Sequence, residues 1–100
     1  MEVKFRTNEL QQAFEKHAKG VKLWGDKVSR RYVERVQVLQ AANSADELFK
    51  IPPLKFHPLT ADRKGQYSLV LKGRTRMMVT FEDPAMTVVW IEEVSKHYGD

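Results

Sequence analysis

The sequence predicts an α+β fold, a two-helix hairpin packed on a small, mainly antiparallel sheet in the order β-α-α-β-β-β-β. Three observations predict it. Apolar residues recur at helical spacing in the first part of the chain, up to Ala42. From Leu54 onward, short apolar runs alternate with polar residues and are separated by Gly, Pro and Asp, as strands and turns are. Finally, the positive charge is concentrated. Lys55, Arg63, Lys64, Lys72, Arg74 and Arg76 stand against Asp62 alone between Leu54 and Phe81, a balance of +5 where the whole chain carries +4.

The first expected strand is Glu2 to Arg6, with Val3 and Phe5 on one face. Asn8 with Gln11 three residues on reads as a capping box. Leu10, Ala13, Phe14 and His17 then share a helical face, and Gly20 is a suitable stop. A second helix is expected from about Trp24 to Ala42, with Val28, Tyr32, Val36 and Leu39 as its apolar stripe. Lys27, Arg30, Arg31, Glu34 and Arg35 fall on its other faces, either solvated or turned toward RNA phosphates. The connection around Gly20 to Leu23 is short, so the two helices should be antiparallel neighbours. Ser44 and Glu47 form a second capping box for a single turn, which Pro52-Pro53 stop.

The sheet segment begins with a strand from Leu54 to Leu59, Leu54 and Phe56 facing one way and Lys55 and His57 the other. Pro58 places His57 near a strand end or edge. Thr60 to Gly65 is a polar turn bearing Arg63 and Lys64. Gln66 to Leu71 is the next strand, Lys72-Gly73 signals a tight hairpin, and Arg74 to Phe81 returns with Arg74, Arg76 and Met78 opposite its core side. Asp83-Pro84 turns the chain into a last strand, Met86 to Ile91. Lys55, His57 and Arg76 should then point to the sheet face that the helices leave open.

One hundred residues are expected to make a single domain, 1–100, with enough apolar material (42%) for one core. The absence of cysteine removes disulfides, thiolate metal sites and a Cys nucleophile. The charged start MEVKFRTNEL has no apolar h-region, and no apolar run approaches the ~20 residues that span a bilayer. A cytoplasmic protein without a membrane partner is the expectation. A sequence pI near 9.5 favours nucleic acid or an acidic protein as partner.

The residue pattern disfavours several chemistries. His17, His57 and His97 lie far apart in sequence, Glu92 and Glu93 should point to opposite faces of a strand, and no HxxxH or ExxH spacing occurs, so no metal and no cofactor is expected. The glycines are isolated and form no phosphate loop. RNA cleavage without a metal fits better, because RNA carries its own nucleophile, the 2′-hydroxyl. The protein then has to move two protons and stabilise a charged phosphorane. Arg76, Arg63 and Lys64 suit the phosphate; His57, His97 and Tyr98 suit proton transfer or base stacking. The plainer alternative is that His57 only ends a strand and His97-Tyr98 only form a tail.

The run Leu54-Lys55-Phe56-His57-Pro58-Leu59, then Asp62-Arg63-Lys64-Gly65-Gln66-Tyr67-Ser68 and Gly73-x-x-Arg76, resembles the HigB branch of the RelE/ParE toxin superfamily, the plasmid maintenance killer proteins. The closing Ile91-Glu92-Glu93-Val94-Ser95-Lys96-His97-Tyr98-Gly99 resembles the end of some members. The resemblance implies a RelE-like microbial ribonuclease fold and ribosome-dependent mRNA cleavage that stops translation. It also implies a cognate helix-turn-helix antitoxin (HigA-like), through which alone operator DNA would be bound. Carried over, His57 matches the histidine of H-P-L, Lys64 lies in the basic turn and Arg76 matches the phosphate-holding arginine. Lys55, Arg63 and Arg74 join Lys64 as candidate phosphate-binding residues. Tyr98 is similar to the tyrosine of a C-terminal Asp-Tyr-His, which here reads His97-Tyr98-Gly99. The general base is then His97, a carboxylate (Glu92, Glu93 or Asp100) or His57 alone. Two other classes remain open: a ParE-like inhibitor of DNA gyrase, and a non-catalytic RNA-binding module.

Overall fold

The computed structural model describes residues 1–96. Its elements are β1 (Glu2–Phe5), α1 (Asn8–Glu15), α2 (His17–Trp24), α3 (Asp26–Ala41), α4 (Ala45–Leu48), β2 (His57–Pro58), β3 (Tyr67–Lys72), β4 (Thr75–Phe81) and β5 (Val88–Ser95). The strands form one sheet in the order β1-β5-β4-β3-β2, with β1 parallel to β5 and the other pairs antiparallel. This is the predicted α+β architecture. No helix among the described residues is long and apolar enough to cross a membrane.

The helical layer is more divided than the periodicity predicts. Thr7, not Asn8, caps α1, its hydroxyl accepting from the Leu10 N–H at 3.1 Å. The expected first helix breaks at Lys16, whose backbone is extended (φ −126°, ψ 110°). Neither Gly nor Pro causes that break. It separates α1, which buries Leu10 and Ala13, from α2, which buries Gly20. Gly20 is therefore not a helix stop. It lies inside α2 where α3 comes closest, and a Cβ built on it would meet the Ser29 Oγ at 2.2 Å. The turn into α3 is made instead by Gly25 at φ +85°, a conformation that favours glycine.

The core lies between α3 and one face of the sheet. Tyr32, Val36 and Leu39 from α3 meet Leu69, Leu71, Met77, Val79, Val89 and Ile91. Burying each large aliphatic side chain contributes about 1.5–3 kcal/mol. Tyr32 is fully buried, and its hydroxyl donates to the Leu10 carbonyl at 2.8 Å, tying α3 to α1. Burial pushes its ionisation well above the usual tyrosine range. Arg35, placed by periodicity among the solvated residues, is buried, and its Nε donates to the Val70 carbonyl of β3 at 3.1 Å. Burial first, and then the like charge of Arg31, lowers its pKa.

Between the helices and the sheet, the expected strand from Leu54 to Leu59 is mostly absent. Pro52–Leu54 form a 3₁₀ turn, Lys55 follows in the left-handed region (φ 48°), and only His57–Pro58 pair with β3. Pro52 and Pro53 preset the first positions of that turn, and the N–H groups of Leu54 and Lys55 are taken by the Ile51 and Pro52 carbonyls (3.0 and 3.1 Å) rather than by a neighbouring strand. Phe56 still packs inward, stacked on Tyr67 at 5.1 Å between ring centroids.

Candidate functional site

Pairing in the sheet sets the open face. His57 lies opposite Ser68, Ser68 opposite Met78, and Met78 opposite Glu93, so one row crosses β2 to β5. Directly paired residues project to the same side. The next row toward the β3–β4 hairpin is Val70, Arg76 and Ser95. On the other side lie Thr80 and Trp90, with Lys4 of β1 beside Trp90. His57 and Arg76 thus share a face, two strands and two residues apart. Strand geometry makes that roughly 10 Å across the sheet and about 7 Å along it between Cα atoms. Between them on that face lie Ser68 and Met78, both fully buried, and Val70.

His57 is held by its own backbone neighbourhood. Its Nδ1 lies 2.9 Å from the Lys55 carbonyl, which accepts only, so Nδ1 carries a proton and Nε2 is the nitrogen that can take one up. Ser68 Oγ, buried, sits 3.5 Å from both ring nitrogens. Arg76 is half-buried on β4, with its Nε and Nη1 closed off from solvent.

The remaining predicted residues are spread more widely. Lys55 does not share the open face with His57; it is an exposed turn residue whose carbonyl, not its ammonium, serves the histidine. Arg74 occupies the exposed hairpin turn after Gly73 (φ 56°) rather than β4. Arg63 ends a 3₁₀ turn (Ala61–Arg63), and exposed Lys64 follows it. Arg63 Nη1 donates to Glu93 Oε1 at 2.8 Å and to Gln66 Oε1 at 3.2 Å, reaching from the turn across to β5. His97, Tyr98 and Asp100 lie outside the described residues.

Glu92 and Glu93 do not point to opposite faces. Met78 pairs with Glu93 while the next residue, Val79, pairs with Ile91, so Glu92 is the extra residue of a β-bulge. Both carboxylates then reach the open face. Glu92 receives two hydrogen bonds from Arg6 (2.9 Å each) and one from the Thr80 hydroxyl (2.6 Å). The Arg6 bond is the main reason that its pKa lies below the usual carboxylate range. Beside it, the Trp90 indole N–H donates to Glu82 at 3.0 Å, and Arg6 lies over the indole at 4.1 Å from the ring centroid. That indole bond, followed by Lys4, holds the Glu82 pKa low.

Sequence reasoning missed Ser68 and Trp90. Alternation in Gln66 to Leu71 put Ser68 opposite the core side, but only the β2–β3 register shows that it faces His57. The basic face of α3 is a separate surface. A cleft of about 270 Å³ there is lined by Lys27, Arg30, Arg31, Glu34 and Lys72, with Arg30 paired to Asp26 at 3.0 Å. Among the described residues, no group of three or more His, Asp or Glu is placed to hold a metal ion.

Sequence comparison finds no matching family model and no matching curated protein. Solved structures do share the fold. A chain of the YoeB–YefM complex from Staphylococcus aureus matches with a TM-score of 0.62 at 14% identity, covering 98% of each chain. The YoeB/ParE toxin from Agrobacterium tumefaciens matches with a TM-score of 0.58 at 16% identity, over 98% of this chain and 100% of that one. YafQ from E. coli strain BL21(DE3) matches with a TM-score of 0.59 at 13% identity, over 94% and 90%. The likeness at these identities is one of fold, shared with these YoeB, YoeB/ParE and YafQ structures.

Proposed function

We propose that residues 1–100 are one toxin domain of a type II toxin–antitoxin pair. It acts as a HigB-like endoribonuclease that cleaves mRNA in the ribosome and so halts translation in the cytoplasm. The observation that carries this reading is the register that brings His57 and Arg76 to one face of the sheet, two strands and two residues apart. The attacking 2′-oxygen loses its proton to His57 Nε2 as it bonds to phosphorus. Arg76 neutralises charge on the phosphorane oxygens, the bond to the 5′-oxygen breaks, and a proton reaches that oxygen from a second donor. His97 and Tyr98 are the candidates for that donor. No metal is needed, because the substrate supplies the nucleophile. Lys64 and Arg74 would steer the RNA backbone from the rim of the face.

The partner in this reading is a helix-turn-helix antitoxin of HigA type, through which operator DNA would be reached. One structural neighbour comes from a YoeB–YefM complex, which supports a complex-forming partner.

The test is mRNA cleavage by purified protein on programmed ribosomes. His57→Ala and Arg76→Ala should each lower the rate by about 10²–10³-fold with circular dichroism unchanged. Undiminished cleavage by the double variant would remove both residues from the mechanism. Intact mRNA together with blocked supercoiling by gyrase would replace the reading with the ParE-like one. RNA binding without cleavage or toxicity would leave a binding module.

A further inference from the structure

We propose that Glu93 is a positioning residue. It holds the Arg63 guanidinium over the His57 row as a second phosphate-binding group beside Arg76. The inference rests on the RNA-cleavage reading above and assigns that site a further part.

Three features lead to it. First, the bulge at Glu92 shifts the strand so that Glu93 faces the open side, in the row of His57, Ser68 and Met78. Without the extra residue, one of the two glutamates would point into the core. Second, the bulge is braced. Arg6 of the segment after β1, Thr80 of β4 and Glu92 of β5 are joined by three hydrogen bonds, so Glu93 stands on a fixed support. Third, Glu93 uses that support to catch a side chain from a turn. Arg63 is a long, flexible residue at the end of a 3₁₀ turn, and its Nη1 is taken by Glu93 and Gln66. The turn is closed beneath it by the Leu59 N–H donating to the Gln66 carbonyl (2.8 Å) and the Gln66 N–H donating to the Arg63 carbonyl (2.9 Å).

Among the described residues it is Nη1 of Arg63 that is hydrogen-bonded, which leaves the Nε–Nη2 edge for a ligand. That edge is the one that grips two phosphate oxygens at once. A guanidinium fixed before the substrate arrives has less rotamer freedom to lose on binding. The pair is close to half exposed at both ends, so a phosphate can approach it from solvent.

A double-mutant cycle tests the proposal, with ribosome-dependent cleavage and binding of a model RNA carrying a 2′-deoxy scissile nucleotide as readouts. Arg63→Ala and Glu93→Ala should each lower kcat/KM by about tenfold. The Arg63→Ala/Glu93→Ala double should be no worse than Arg63→Ala alone. Glu93→Gln, whose amide oxygen still accepts from Arg63, should recover most of the loss and keep the wild-type pH profile. Additive losses near a hundredfold, or a lost limb of the pH profile in Glu93→Gln, would show that Glu93 acts on the reaction directly and overturn the proposal. Unchanged cleavage in Glu93→Ala would overturn it too. So would tighter RNA binding in that variant, since Glu93 would then compete with phosphate for Arg63. A wild type that binds RNA without cleaving it rejects the cleavage reading, while the binding cycle still decides the role of Glu93. A wild type that does neither overturns both.

Discussion

Glu92 is where one residue's chemistry reaches furthest. Its carboxylate collects Arg6 and Thr80 in the bulge that brings Glu93 to the open face. Its pKa is depressed in the folded chain, chiefly by the Arg6 hydrogen bond. A depressed carboxylate contributes stability that is fully present above its unfolded value of about 4.3 and is lost as pH falls through the folded value. Tm should therefore fall as the solution is taken from about pH 5 to pH 3. Glu82 and Asp83, lowered in the same way, add to that slope. Glu92→Gln should cost about 0.5–1 kcal/mol at pH 7, a modest figure because Arg6 is half exposed. It should also flatten part of the acid-side loss. Identical pH slopes in the two proteins would show that the triad contributes nothing to the linkage. His57 teaches a related lesson: the group that sets its tautomer is a backbone carbonyl, two residues away, which no side-chain pattern announces.

Among the elements, the helical layer shows how packing overrides local signals. Gly20 and Gly25 look alike in the sequence, yet one allows a helix crossing and the other makes a turn. Any side chain at position 20 must displace Ser29, whereas position 25 has open space but a backbone that favours glycine. Gly20→Val should destabilise the fold by about 1–3 kcal/mol through overpacking. Urea unfolding should show a lower midpoint with an unchanged m-value. A Gly20→Val variant as stable as wild type would mean that α2 and α3 can separate at no cost. The strand elements make the same point in reverse. Two prolines reduce an expected six-residue strand to His57–Pro58, and that short remnant still suffices to register His57 on Ser68.

For the whole molecule, the sheet separates a helix-covered face from an open one, and positive charge lies on both sides of the chain. Arg76, with Arg63 at the turn, belongs to the open side; Arg30 and Arg31 belong to α3. Binding of single-stranded RNA should weaken with salt, each neutralised phosphate adding about 0.7 to the slope of log K against log salt. Arg63→Ala and Arg76→Ala should each reduce the slope by about that amount. Arg30→Ala, already paired to Asp26, should leave it unchanged. An equal loss from Arg30→Ala would extend the RNA path over the helices.

Composition and periodicity by themselves determined the α+β class, the order of the main elements, the core stripe of Tyr32, Val36 and Leu39, and the open side of β4 that carries Arg76. These follow from local chemistry: helical and strand periods, turn residues and prolines are written in neighbouring positions. Only the tertiary structure decided that Arg35 is buried, that the first helix breaks at Lys16, and that Glu92 bulges out to bring Glu93 into the row of His57. It also decided that Lys55 and Arg74 stand apart from that row. The reason is physical. A bulge, a helix crossing or a cross-strand row depends on how far one element slides against another. That offset is settled by the whole core at once, not by any stretch of chain within it.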